Sequence, residues 1–134
     1  MIDHTGIIVS DFTKSKKWYT EALAPIGYIK LMEFSKEITK TTAVAGFGEA
    51  VSCKADFWLS LASENRPVNK SAQHIAFRAE RRTQVDEFYQ AALNAGGKDN
   101  GKPGLRPHYH EHYYGAFVLD PDGHNIEVVC HNKP

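Results

Sequence analysis

The feature that most constrains this chain is an internal repeat. Adding 70 to a residue number carries His4 to His74, Trp18 to Phe88, Tyr19 to Tyr89, Ala22 to Ala92, Leu23 to Leu93 and Gly27 to Gly97. Six like-for-like pairs over 24 positions without a gap mark two copies of one structural unit, which fixes the architecture before any single element is assigned. In the 134 residues the first copy takes 1–62 and the second 72–131. Residues 63–71 (SENRPVNKS) are polar, carry a proline and read as the linker. The length suits a single domain, 1–134, with a core of its own.

Each copy reads as strand–helix–strand–strand–strand. Residues 2–9 are rich in β-branched side chains and predict a strand. Ser10 or Asp11 can cap the helix that follows, whose apolar stripe is Phe12, Tyr19, Ala22, Leu23 and Ile26. Residues 28–34, 42–47 and 56–61 are short enough for strands. The pattern restarts with a strand at 73–79. A second helix follows, with Thr83 as cap, Asp86 three residues on, and a stripe of Val85, Phe88, Tyr89, Ala92 and Leu93. Gly96 and Gly97 end it, and the glycine-rich run 96–104 predicts a mobile entrance or lid. The expected class is α+β.

The final hairpin, GAFVLDPDGHNIEVVCH (residues 115–131), turns through Asp120-Pro121-Asp122-Gly123, where proline presets φ and glycine accepts a positive φ. Glu127 is its odd residue. It sits among Ile126, Val128 and Val129, and a carboxylate there is costly unless something pairs with it. His124, beside the turn, reads as a surface residue.

A metal ion is one answer for Glu127. His4 and His74, repeat-related and both on predicted strands, add two imidazoles to the carboxylate. Two histidines and one acid form a facial triad that leaves metal positions open to substrate or water. Zinc, nickel and ferrous iron suit imidazole, and the carboxylate widens the choice to manganese. The competing reading is structural, since a single histidine on a half-buried strand more often serves packing than ligation.

Composition sets the surroundings. Sixteen basic residues balance sixteen acidic ones, so nothing suggests a nucleic-acid or anionic-membrane partner. The start, MIDHTGIIVSD, lacks the basic and apolar regions of a signal peptide, and no apolar run approaches the ~20 residues that span a bilayer. Cys53 and Cys130 form no CxxC pair. A cytoplasmic location is expected.

The sequence resembles the vicinal oxygen chelate superfamily of glyoxalase I, extradiol dioxygenases, fosfomycin-resistance transferases and bleomycin-resistance proteins. The resemblance runs through His4-Thr5-Gly6-Ile7-Ile8-Val9-Ser10-Asp11, His74-Ile75-Ala76-Phe77, Phe88-Tyr89 and Asp120-Pro121-Asp122-Gly123-His124-Asn125-Ile126-Glu127, and covers nearly the whole chain. It implies paired βαβββ modules curled into an open mixed sheet, and a divalent metal (Fe, Zn, Ni or Mn) on His4, His74 and Glu127. It also implies a homodimer, because in many small members the first-half ligand comes from one chain and the second-half ligands from the other.

One departure narrows the activity. Glyoxalase I places a catalytic, metal-binding glutamate on the last strand of the first half, where this chain has Trp58. Tryptophan neither ligates metal nor abstracts a proton. Asp56, two residues away, reaches that point only if the register shifts. Trp58 is expected as an apolar wall of the substrate pocket, with plain core packing as its alternative. The segment FWLSLAS is similar to its counterpart in the fosfomycin enzymes, but their basic C-terminal tail and serine-rich potassium loop have no match here.

Residues 104–115 (GLRPHYHEHYYG) carry the remaining candidates. His108, His110 and His112 alternate, so an extended chain would place all three on one face, where imidazoles can move protons near neutral pH. Tyr113 or Tyr114 can donate a hydrogen bond to a substrate oxygen, and Arg106 can clamp a carboxylate. A solvated loop or an adventitious metal site is the alternative. The expected function is therefore a metal-dependent enzyme on a small oxygen-bearing substrate, of lyase, isomerase or dioxygenase type. A fosfomycin-type thiol transferase, a metal-free antibiotic-binding protein and an interaction domain with an idle site are the competing readings.

Overall fold

The computed structural model describes residues 1–69, 71 and 73–134. Lys70, in the expected linker, and Ala72, the first residue of the expected second module, lie outside the described residues.

The first module runs β1 (Thr5–Val9), α1 (Phe12–Leu23), a 3₁₀ turn (Ala24–Ile26), β2 (Tyr28–Phe34), a one-turn helix α2 (Lys36–Thr39), β3 (Val44–Glu49) and β4 (Phe57–Leu61). The second runs β5 (His74–Ala79), α3 (Arg82–Asn94), β6 (Lys98–Leu105), β7 (Tyr114–Leu119) and β8 (Asn125–Cys130). Each forms a four-stranded mixed sheet in the same order, β1-β4-β3-β2 and β5-β8-β7-β6. The first strand of each lies parallel to the last, and the remaining pairs are antiparallel. This is the repeated βαβββ, α+β arrangement that the 70-residue offset predicts. Among the described residues no helix is long and apolar enough to cross a membrane.

The helices form where the apolar spacing places them. Asp11, not Ser10, caps α1, its carboxylate accepting from the Lys14 N–H at 2.9 Å. Thr83 does not cap α3. The helix begins one residue earlier, and the Gln84 side-chain oxygen accepts from the backbone N–H groups of Glu80 and Arg81. A glutamine reaching back in this way supplies the N3 half of a capping box, while its own backbone N–H donates to the Arg81 carbonyl at 3.1 Å.

Strand alternation then sorts the side chains. Ile7, Val9, Phe57, Leu59, Ala45 and Phe47 of the first sheet turn towards the helices and are buried, as are Phe77, Ala79, Val118, Ile126 and Val128 of the second. They join one core with Trp18, Tyr19 and Phe88. Tyr19, Phe57 and Phe77 carry it across the module boundary, with ring centroids 5.2 and 5.1 Å apart in turn. Burial of each such side chain is worth about 1.5–3 kcal/mol. Trp18 also donates its indole N–H to the Ala92 carbonyl at 3.1 Å. That approach requires Gly97, where an added Cβ would stand 3.0 Å from the indole nitrogen and 2.8 Å from the Ala92 oxygen.

Two loop expectations change. Residues 96–104 are not an open lid, since most of them build β6, paired with β7 through two register shifts around Gly101. Residues 106–113 are a series of turns, so His108, His110 and His112 do not share one face of an extended chain.

Candidate functional site

With one face of each sheet against the helices, the other is left for chemistry. In the second sheet this face carries His74, Ala76 and Arg78 from β5, Glu127 and Val129 from β8, and Gly115 and Phe117 from β7. Glu127 is only 2% exposed. Its Oε1 accepts from the Tyr113 hydroxyl, and its Oε2 lies 3.1 Å from His74 Nε2. Burial, with the Glu127 carboxylate beside it, pushes the Tyr113 phenol well above its ordinary range, so Tyr113 keeps its proton and remains a donor.

His74 is held on both sides. Its Nδ1 is 3.0 Å from the Asn125 carbonyl, an acceptor, so Nδ1 carries a proton and donates. The ring stacks with Phe117 at 6.3 Å between centroids and 29° between planes. Nε2 is thereby fixed as the nitrogen facing Glu127. A ring nitrogen tied to a backbone carbonyl while its mate faces a carboxylate is the outer support that metal-binding histidines use. Two donors about 2.1 Å from one metal, near a right angle, stand about 3 Å apart, so the His74–Glu127 spacing suits a shared cation.

His4 stands apart. It precedes β1 instead of lying in it, its Nδ1 is 2.9 Å from Asp3 Oδ1, and its side chain is 64% exposed. His4 and His74 line one cleft of about 390 Å³ between the modules, together with Asp3, Tyr28 and Asp56. Even so, among the described residues no group of three or more His, Cys, Asp or Glu side chains converges on a metal position. One chain brings His74 and Glu127 together and leaves His4 out. Asp56 precedes β4 and accepts from the Tyr28 hydroxyl at 3.0 Å.

The other candidates separate clearly. Trp58 lies on the face of the first sheet away from the helices, over Gly46, and stacks on Phe34 at 6.4 Å. It lines a second cleft of about 450 Å³ that includes His4, so it is a cleft wall, not core. Tyr114 is turned to the helix side, opposite Glu127: its hydroxyl donates to Asp86 at 2.8 Å, and the Arg82 guanidinium lies over its ring. His108 packs on Tyr109, and His112 is 3.8 Å from Glu111. His110, though exposed, is the one of the three whose ring meets Tyr113, at 5.3 Å between centroids. Arg106, at the base of the loop, covers Phe117 at 5.6 Å.

Two residues outside the sequence motifs join this cluster, His131 and Phe117. His131 Nδ1 is 2.7 Å from His110 Nε2, and its ring lies 5.2 Å from that of Tyr113. The signal was present, since 127, 129 and 131 alternate onto one face. Phe117 pairs across the strands with Glu127 and likewise follows from register.

A search of curated proteins returned no match. Among solved structures, a glyoxalase/bleomycin resistance protein from Albidiferax ferrireducens superposes with a TM-score of 0.70 at 21% identity, covering 98% of both chains. A family enzyme from Burkholderia phytofirmans gives 0.68 at 15%, again covering 98% of each. A glyoxalase I variant from Zea mays gives 0.73 at 24%, over 96% of this chain and 46% of the maize chain. At these identities the likeness is one of fold. The family model described as Glyoxalase/Bleomycin resistance protein/Dioxygenase superfamily matches residues 1–128, and the chain belongs to that superfamily.

Proposed function

We propose that the chain is a divalent-metal-dependent enzyme acting on a small oxygen-bearing substrate, with His74 and Glu127 of one copy and His4 of a second copy as ligands. The observation that carries this reading is the His74–Glu127 pair, with Nε2 and Oε2 3.1 Å apart and Nδ1 committed to the Asn125 carbonyl. The isolation of His4 in a single chain supports a homodimer. When bound, the metal would act as a Lewis acid on substrate oxygens. Tyr113 holds Glu127 in place and offers a protonated hydroxyl, Phe117 braces the His74 ring, and Trp58 walls the cleft that includes His4. Because Trp58 replaces the acid that glyoxalase I uses as base, the chemistry we propose is of lyase, isomerase or dioxygenase type.

The test is elemental analysis of tag-free protein with zinc, nickel, manganese and ferrous-iron titrations, repeated for His74→Ala and Glu127→Gln. Wild type should take up about one equivalent per chain and both variants should lose it. No uptake by wild type defeats the reading. One observation favours a metal-free binding protein instead: Tyr113 already donates to Oε1 of Glu127, and a His74 protonated on both nitrogens would donate to Oε2. Ligand binding without metal uptake would select that alternative.

A further inference from the structure

Arg106, a half-buried residue, stands beside the candidate site with no acid paired to it among the described residues. Arg106 lies over Phe117, 5.6 Å from the ring centroid, and Phe117 in turn pairs with Glu127 and stacks with His74. Two backbone carbonyls hold the guanidinium: Nη1 donates to Leu105 O at 3.3 Å and Nη2 to Lys102 O at 2.7 Å. The loop base is closed behind it, the Arg106 N–H donating to the Tyr113 carbonyl at 2.7 Å. Among the described residues Arg106 forms no ion pair. The nearby acid, Glu127, accepts from the Tyr113 hydroxyl and faces His74 Nε2.

The strand beneath is cut away to admit this arrangement. A Cβ at Gly101 would sit 2.8 Å from Phe117 Cδ2, on a backbone with φ +154° that side chains rarely adopt. A Cβ at Gly104 would sit 3.0 Å from Arg106 Nη1. These glycines explain the broken register of β6, which trades ladder regularity for room around an aromatic ring and a guanidinium. The phenol of Tyr113 feels the positive charge, which opposes the upward push on its pKa.

Each terminal nitrogen of Arg106 carries a second N–H, and Nε adds another, so the planar fork keeps donors for a planar anion after the backbone contacts are made. We propose that Arg106 on its Phe117 shelf is a subsite for a substrate carboxylate, separate from the atoms held at His74 and Glu127. The substrate class is then a small organic acid whose chain lies along Phe117. This rests on the site reading above, and names the substrate that site would take.

The experiment compares ligands that differ only in a terminal carboxylate. In metal-free protein, pentanoate is set against its neutral isostere pentanamide; in metal-loaded protein, 2-oxoglutarate is set against 2-oxopentanoate, all by titration calorimetry. The ligand carrying the additional carboxylate in each pair should bind about tenfold tighter or better, Arg106→Gln should erase that preference, and Arg106→Lys should restore part of it. Equal binding within the pairs, or a preference surviving Arg106→Gln, overturns the proposal. Absence of metal uptake with the pentanoate preference intact would sink the metal reading and leave this subsite standing; metal uptake with no preference would do the reverse. Should Arg106→Gln fail to fold, phenylglyoxal labelling of wild type with peptide mapping decides: pentanoate must protect Arg106 where pentanamide does not, and absence of protection overturns the proposal.

Discussion

His124 donates its Nε2–H to the carbonyl of Ile8 at 3.1 Å, joining the last hairpin of the second module to the first strand of the first. The tautomer follows from the other nitrogen, since Nδ1 accepts from the Gln73 N–H at 3.2 Å. Ile8 lies on β1, an edge strand, and His124 gives its carbonyl a donor that no further strand supplies among the described residues. The ring is 1% exposed, so His124 is an internal clamp and not the surface residue its place beside a turn suggests. His124→Leu keeps the volume and abandons both partners. It should cost about 2–3 kcal/mol in urea unfolding, and a loss under about 0.5 kcal/mol would show the clamp to be idle.

The repeat made the topology legible, because an offset of 70 specifies which elements correspond before any is located. The exception in the first sheet's connections is α2, a single turn at Lys36–Thr39 without an apolar stripe to announce it. The site was legible where chemistry contradicts burial: an acid in an apolar strand had to have partners, and His74 is one. Contacts that depend on loop conformation were hidden. The sequence cannot tell an extended histidine row from successive turns, so His108 and His112 drew attention while His110 and His131 make the contact. The pair Tyr113–Tyr114 separates by alternation alone, one towards Glu127 and one towards Asp86.

Tyr19 and Asp120 form a second link between modules, the hydroxyl donating to the carboxylate at 2.6 Å. Asp120 is 4% exposed and also accepts from the backbone N–H groups of Asp122 and His124. Burial pushes its pKa up, while the Tyr19 hydroxyl works against that rise. An acid whose folded pKa is raised contributes stability below its unfolded value and loses it as pH climbs through the folded one. Tyr19→Phe lifts the folded value further, so it should cost about 1–3 kcal/mol at pH 7 and less at pH 4.5. A loss that does not change with pH would assign the effect to packing alone.

His131 should make stability fall on mild acidification. Burial lowers its pKa below the ordinary 6.5, the neighbouring His110 and Arg78 lower it further, and Glu127 opposes them. A histidine with a depressed folded pKa binds fewer protons folded than unfolded below 6.5. Its contribution is present above 6.5 and is lost as pH falls through the folded value. Wild type should therefore lose stability from pH 6.5 downwards, and His131→Gln should show a shallower loss over the same window. Parallel curves for the two proteins would clear His131 of any part in it.

A shared metal site has a consequence that a single-chain site cannot imitate. His4→Ala removes the ligand one copy would lend, and Glu127→Gln removes one the other would keep. Each variant alone should take up no metal. When the two are unfolded together and refolded in equal amounts, half the dimers are mixed. In a mixed dimer one site pairs two defective contributions, while the other combines His4 from the Glu127→Gln chain with His74 and Glu127 from the His4→Ala chain. About a quarter of the wild-type metal capacity should return, read by elemental analysis after gel filtration. In a site built within one chain every copy carries a defect, and mixing restores nothing. Recovery near a quarter therefore requires that His4 act across the dimer, and no recovery from variants that each form dimers would confine the ligands to one chain.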